Sequence, residues 1–348
     1  MRIYSPAMGF SVAVIGASGY AGGEVVRFVD AHPGLDLVHM GAHSKQGGLL
    51  SEVHPQLSGG DRPLGSNELD DIPDVDVAFL ALPHGLSWET GHALAERGTK
   101  VIDLGSDYRL DTDERYRAAY GNGHPLPDEL GRWTYGLPEL FDVTGTDRVA
   151  APGCYPTAVL LATVPFFREG VAGEGFVVAD CMSGVTGAGR GVKESLMFGS
   201  VHEGVAAYKV TDHRHRPEIE MAISMASGAE PAVVFTPHLV PMQRGELATV
   251  TIPLAAELTT AEARDILRSA YRGRPFCQVI DGPPQTRWAV SSNRAILSAF
   301  VDTNAGVIIA QAAIDNLVKG AAGQGIQNAN LMLGLDETAG LPLSGWMP

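Results

Sequence analysis

The first hundred residues alternate short apolar runs with stretches of helical period. Residues 10–15 (FSVAVI), 35–40 (LDLVHM), 75–80 (VDVAFL) and 101–104 read as strands. Residues 21–31 and 87–97 carry apolar positions three and four apart and read as helices. Alternation of this kind predicts a parallel sheet with helices on its faces. Residues 107–148 are rich in Gly, Pro and charge and read as loops and short helices joining two units.

Beyond that link the pattern changes. Strands are expected at 176–182, 232–235, 248–253 and 295–302, and a further one starting at Cys277. Helices are expected at 156–167, 217–226, 260–272 and 305–318. The looser interleaving suggests a mixed α+β unit. The expected fold is therefore α/β, with a Rossmann-type parallel-sheet dinucleotide-binding domain and a mixed α+β catalytic domain. Residues 1–152, joined by the C-terminal segment 323–348, are assigned to the first. Residues 153–322 are assigned to catalysis and oligomerisation.

Composition narrows the function classes. The 348 residues are 45% hydrophobic and 19% charged, with 42 glycines, as in a globular enzyme with many turns. A net charge of -15 argues against nucleic-acid binding, which needs a basic footprint. No apolar run approaches the ~20 residues of a membrane span. Residues 1–10 hold one Arg and no apolar core, so no leader is read there and a cytoplasmic protein is expected. Cys154, Cys181 and Cys277 are far apart and form no C-x-x-C pair. Neither a disulfide framework nor a structural metal site is expected.

The segment GASGYAG, Gly16 to Gly22, stands between the first strand and the first helix. Glycines there permit a tight turn and close backbone approach to a pyrophosphate, and the helix start supplies free N–H groups. Gly16, Ser18, Gly19, Tyr20 and Gly22 are the candidate cofactor residues, although glycine turns after strands are also common without a ligand. An NAD site usually carries an acid after the second strand to hold the ribose. Here that strand runs into GAHSK, so Ser44 and Lys45 point to a 2′-phosphate and to NADP(H) as cofactor. The plain alternative for Lys45 is a solvated loop residue.

Cys154 lies in APGCYPT. Pro156 suits the first turn of a helix, so the thiol stands at a helix N-terminus. That position is expected to favour the thiolate and lower its pKa from ~8.5. Gly153 removes bulk beside the sulfur. Cys181 and Cys277 sit in apolar strands and read as inert core residues. A cysteine nucleophile needs a proton acceptor near neutral pH, and His is the usual one. The segment YKVTDHRHRPEI carries His213 and His215, which point the same way if the segment is extended. His84, after the third strand, reads as a cofactor-side loop residue.

Together these pieces resemble the N-acetyl-gamma-glutamyl-phosphate reductase family, relatives of the aspartate-semialdehyde dehydrogenases. The motifs that carry the resemblance are GASGYAG at 16–22, DLGSDYRL at 103–110, YGLPEL at 135–140 and PGCYPT at 152–157. SGVTGAGR at 183–190, DHRHRPE at 212–218, FTPHLVP at 235–241 and DNLVKGAAGQGIQN at 315–328 complete the set. The resemblance implies that Cys154 is the nucleophile, His215 the proton-transfer residue and His213 its neighbour at the substrate. It implies that Arg109 holds a substrate anion, and that Glu218 orients a histidine or the substrate amine side. Ser183, Gly184, Gly187 and Arg190 would face substrate and nicotinamide, and Asn316 would lie near the nicotinamide amide. Gly105 departs from the family pattern, which has Ser there.

The reaction implied is attack of Cys154 on a gamma-acyl phosphate, loss of phosphate to give a thioester, and NADPH reduction to the semialdehyde. The partner is a small acyl phosphate, gripped by Arg109, Arg190, Arg214 and Arg216 as candidate cations. A homo-oligomer, dimer or tetramer, is implied as well. Three other readings compete. One is the same chemistry on a carrier-linked aminoadipyl phosphate in lysine biosynthesis. A second is a cysteine hydrolase, which has no use for the glycine turn. A third is a nucleotide-sensing protein without activity, which has no use for Cys154 and the histidines.

Overall fold

The computed structural model describes residues 9–346 except 58 and 60. The reading of the extreme N-terminus as lacking a leader falls mostly on residues 1–8, outside those described. In chain order the elements of the first unit are β1 (Phe10–Ile15), α1 (Tyr20–Asp30), β2 (Leu35–Gly41), α2 (Leu50–Val53), β3 (Val77–Leu80), α3 (Trp88–Glu96) and β4 (Lys100–Asp103). They continue with α4 (Asp113–Tyr120), β5 (Thr134–Tyr135) and β6 (Arg148–Ala150). The strands form one parallel sheet in the order β2-β1-β3-β4-β6-β5.

Both faces of this sheet are buried, as an all-parallel sheet requires. Val12 and Val14 of β1 enter one apolar cluster, while Ala13 and Ile15 enter the other. Order reverses at β1, whose neighbours are β2 and β3. A crevice therefore opens at the C-terminal ends of β1 and β3, where ligands bind in open sheets.

The second unit begins with α5 (Cys154–Arg168), β7 (Phe176–Ser183), α6 (Phe198–Val201), β8 (Ala206–Ala207), α7 (His215–Ser227) and β9 (Ala232–Leu239). Then follow β10 (Glu246–Pro253), α8 (Thr260–Ala270), β11 (Cys277–Val279), α9 (Thr286–Ala289), β12 (Ala295–Asp302) and β13 (Val307–Ile314). Its sheet is mixed, in the order β11-β12-β13-β10-β7-β9-β8. The inward residues of β10 alternate with half-buried ones and pack beneath α5, which is buried along nearly its whole length. After a π-helical turn at Val318–Ala322, α10 (Gly323–Met332) returns to pack on α1 and β4 of the first sheet.

One expectation is overturned. Residues 305–318 do not form a helix. The stretch holds β13, paired antiparallel with both β12 and β10. Its alanines suggest a helix, but Gly306 at φ 66° turns the chain back on β12, and burial alternates with period two. β5 and β6, too short for a periodicity to register, extend the first sheet beyond the expected strands. Among the described residues no helix is long and apolar enough to cross a membrane.

Candidate active site

The glycine turn is built by close contact. Gly16 has φ 89°, and a Cβ added there would stand 2.5 Å from the Ala81 carbonyl oxygen. A Cβ at Gly22 would stand 2.2 Å from the Gly16 oxygen. Only glycine allows this packing. α1 starts at Tyr20 with Gly19 as N-cap, no side-chain cap and no acid in its first turn. Its leading N–H groups and positive dipole end are therefore left for an anion. Two residues that no motif singled out brace the turn. Asn67 Oδ1 accepts the Gly16 N–H at 3.2 Å, and His54 Nε2 lies 3.0 Å from the Ala17 oxygen.

A cleft of about 820 Å³ runs from this turn to the second unit. Ser44 and Lys45 line it together with Gly16, Ser18, Gly19 and Tyr20. Cys154, His215, Arg109, Gly187 and Asn316 line the same cleft. Gly22, Ser183, Gly184, His213 and Glu218 are not among the residues that line it. Arg190 donates to the Ser18 and Val53 carbonyls at 3.0 and 2.9 Å, with its guanidinium over the Tyr20 ring. It thus clasps the glycine turn. His84 is engaged by Asp107 at 2.8 Å and stacks on Tyr120, at the cleft edge.

Cys154 is the first residue of α5, as its sequence context predicts, with Gly153 as an N-cap that makes no side-chain bond. Gly153 is required sterically. A Cβ there would lie 2.5 Å from His215 Nε2 and 2.9 Å from Arg109 Nη1. The expected low thiol pKa is not what the structure produces. Burial pushes the Cys154 thiol well above its ordinary value, and the nearby Glu246 carboxylate adds to this. The Tyr155 amide and Arg109 act in the opposite sense and do not prevail. Helix position alone favours the thiolate, but desolvation is the larger effect here.

His215 opens α7, so the histidine segment is not extended at that point. The two rings nevertheless meet, with centroids 4.6 Å apart, and His213 Nδ1 accepts the His215 backbone N–H at 3.2 Å. Burial holds His215 well below its usual pKa, and His213, Arg109, Arg214 and Lys209 add to the effect. His213 is lowered to about 4 by burial and then by Arg214 and Lys209. Both rings are neutral at pH 7. His213 also faces a second, smaller cleft of about 400 Å³, with Arg115, Arg214 and Arg216.

Glu218 is a hub. Its carboxylate accepts the Gly153 N–H at 2.9 Å and the Tyr135 hydroxyl at 2.8 Å, and pairs with Arg109 at 3.4 Å. Arg109 also donates to the Ala151 and Leu104 carbonyls. Asn316 accepts from Gly245 N–H at 2.9 Å and donates to Thr186 at 3.0 Å, fixing the loop after Ser183. Ser183 is buried and bonds to the Gly184 oxygen, and a Cβ on Gly184 would meet the Gln243 oxygen at 2.7 Å. At Gly105 the departure from the family pattern has a local cause. Its N–H donates to Asp103 Oδ1 at 2.7 Å, and an added Cβ would stand 2.7 Å from that same atom.

Comparison with known proteins places these features. The family signature described as "Semialdehyde dehydrogenase, NAD binding domain" matches residues 11–144. The signature "Semialdehyde dehydrogenase, dimerisation domain" matches residues 154–316. An N-acetyl-gamma-glutamyl-phosphate reductase from Heliobacterium modesticaldum is 42% identical over 97% of this chain and 99% of its own length. One from Salinispora arenicola is 44% identical over 98% of this chain and 100% of its own. Among solved structures, aspartate semialdehyde dehydrogenase II of Vibrio cholerae, complexed with ASA, superposes with TM-score 0.71 at 16% identity. It covers 94% of this chain and 99% of that one. The Candida albicans aspartate semialdehyde dehydrogenase with NADP gives TM-score 0.66 at 14% identity, covering 93% and 98%. These two likenesses establish the shared fold.

Proposed function

The chain belongs to the N-acetyl-gamma-glutamyl-phosphate reductase family, and we propose that Cys154 is its nucleophile and that the cleft beside it holds both substrate and dinucleotide. The reaction is reductive dephosphorylation of N-acetyl-gamma-glutamyl phosphate to N-acetyl-L-glutamate 5-semialdehyde, in arginine biosynthesis. The relatives compared above are named for the glutamyl substrate, and no observation favours the aminoadipyl alternative. The observation that carries the assignment is that the glycine turn and the Cys154 thiol open into one cleft. A hydrolase has no use for that continuity.

The donor set fits a nicotinamide dinucleotide. Gly16 and Gly22 keep the turn free of side chains, the uncapped start of α1 would hold a pyrophosphate, and Ser44 with Lys45 would suit a 2′-phosphate. When bound, the cofactor supplies the hydride that reduces the acyl group.

The remaining chemistry belongs to the chain. The Cys154 sulfur attacks the acyl carbon, and the carbon–oxygen bond to phosphate breaks with its electrons leaving on phosphate. The uncapped first turn of α5 offers backbone N–H groups where the carbonyl oxygen gathers charge. Glu218 holds Gly153 in place and so sets the direction of the thiol. His215, neutral, faces the reacting centre over Gly153 and exchanges a proton with the substrate oxygen. Arg109, tied to Glu218, adds positive potential for the anionic substrate.

A homo-oligomer and a cytoplasmic setting complete the proposal. The face of the second sheet away from α5 presents Phe176, Met182 and Val234, 66%, 43% and 46% exposed, as an apolar surface for a second copy. Phosphate-dependent oxidation of N-acetylglutamate semialdehyde with NADP tests the function. Turnover with this substrate and not with aspartate semialdehyde is expected. The reverse preference contradicts the substrate assignment.

A further inference from the structure

Glu246 is the first residue of β10. It points to the same side as Ala248, Val250 and Ile252, the side on which α5 packs. In register it lies between Ser183 of β7 and Ile314 of β13, the strands that lead into the Gly184 loop and into Asn316. It is 0% exposed, and among the described residues neither carboxylate oxygen has a hydrogen-bond partner of ordinary geometry. A buried carboxylate without partners is costly. Cys154 opens the helix that packs on β10, and its thiol and the Glu246 carboxyl each perturb the other.

We propose that Glu246 accepts the Cys154 thiol proton as the nucleophile forms and returns it when the sulfur leaves. The proposal rests on the reading of Cys154 as nucleophile. Two groups compete for that proton. His215 is a weakened base, held down by burial and by three neighbouring cations. Glu246 is a strengthened one, since burial pushes it up to about 8, offset in part by the Cys154 thiol.

Charge bookkeeping favours the carboxylate as well. Transfer to Glu246 breaks the S–H bond, forms an O–H bond and moves one negative charge from oxygen to sulfur. No new charge is created in the buried pocket. Transfer to His215 would create an imidazolium beside Arg109, where a second cation is disfavoured. When the thiohemiacetal collapses, the carbon–sulfur electron pair returns to sulfur, and Glu246 gives the proton back. His215 is then free to serve the substrate oxygen throughout.

Other ionisable groups face the pair. Tyr155 comes from α5, Cys181 from β7, Tyr208 from the segment after β8, and Arg109 from the first unit. Tyr155, Cys181 and Tyr208 are all pushed upward from ordinary values of 10.0, 9.0 and 10.0, with burial the largest cause in each. Arg109 stays charged. A titration near pH 8 at the sulfur therefore belongs to Glu246.

The test is carboxamidomethylation of Cys154 by iodoacetamide across pH, read by peptide mass on the full chain. The wild-type rate is expected to step upward near pH 8. Glu246→Gln should abolish the step and slow modification at pH 8 by about 100-fold, the scale of a positioned base. Glu246→Asp should restore a step at a displaced pH. An unchanged step in Glu246→Gln, or faster modification at pH 8, overturns the proposal. A merely structural glutamate would lower the melting temperature and leave the step in place.

If the glutamine variant does not fold, infrared difference spectra of the wild type decide. A protonated-carboxyl band should titrate near pH 8 and shift when Cys154 is alkylated. Absence of such a band overturns the proposal. Failure of the underlying reading looks different, because alkylated Cys154 would then leave turnover intact.

Discussion

The Glu218 carboxylate accepts the backbone N–H of Gly153 at 2.9 Å, so one side chain of α7 fixes the residue that precedes Cys154. The same carboxylate is the counter-charge of Arg109, and both groups are buried. Glu218→Ala removes the acceptor for Gly153 and leaves Arg109 unpaired. Breaking one side of a buried pair costs about 3–5 kcal/mol. A lower melting temperature is expected, together with a loss of kcat of roughly 100-fold from misplacement of the thiol. The KM for the dinucleotide should hardly change, because Glu218 does not line the cleft. Thermal melts and steady-state kinetics check this, and an unaltered kcat would remove Glu218 from the positioning role.

Gly22→Ala tests the turn. Its new methyl would have to displace the Gly16 oxygen, 2.2 Å away, and this neighbour is backbone. Overpacking of this kind costs about 1–3 kcal/mol. Dinucleotide affinity is expected to fall along with stability, while iodoacetamide still reaches Cys154. Calorimetric titration with NADP measures the first effect directly.

Lys45→Glu tests the choice of cofactor. Lys45 stands exposed in the cleft that the glycine turn also lines. A hydrogen bond to a charged group contributes about 1.5–3 kcal/mol. The KM for NADPH should therefore rise roughly 10- to 100-fold, with that for NADH nearly unchanged. Equal effects on both cofactors would move the 2′-phosphate contact elsewhere.

Much of this site was legible from local patterns. A strand, a glycine turn and a helix follow one another in sequence, so GASGYAG could be placed without tertiary information. The same holds for Cys154, whose helix start is marked by Gly153 and Pro156. What local patterns missed depends on long-range contact. Glu246 follows Arg244-Gly245 like any loop acid. Only its phase with Ala248, Val250 and Ile252, once β10 is paired, turns it inward beneath α5. The thiol pKa inverted for the same reason, because burial and Glu246 both come from elements distant in sequence. β13 was misread because alanine favours helix locally, while pairing with β12 and β10 decided the outcome. His54 and Asn67 reach the glycine turn from loops that carry no motif.

Two opposing sets of buried groups set how stability varies with pH. His32, His54, His124, His213 and His215 are all held below their ordinary value of 6.5, with burial the largest cause. Below that pH the unfolded chain binds protons the native state refuses, so stability falls with acidification. Burial raises Glu246 to about 8 and Asp103 to about 7, Asp103 with help from Asp107. For these two the native state keeps protons that the unfolded chain has lost. Their contribution is full below the ordinary carboxyl range and is lost as pH rises through 7 and 8. The five histidines therefore lower stability as pH falls below 6.5, and the two carboxyls lower it as pH rises through 7 and 8. Melting temperatures across pH 4–9 check this, and Glu246→Gln should flatten the alkaline decline. A maximum above pH 8 would contradict these assignments.

The proposed reaction passes through a covalent bond at Cys154. Its most direct measurement is the intact mass of the enzyme after brief mixing with N-acetyl-gamma-glutamyl phosphate without dinucleotide, followed by peptide mapping. One N-acetylglutamyl group per chain is expected, carried on the Cys154 peptide, released by hydroxylamine and absent in Cys154→Ser. Full turnover by Cys154→Ser, or an adduct on another residue, would contradict it.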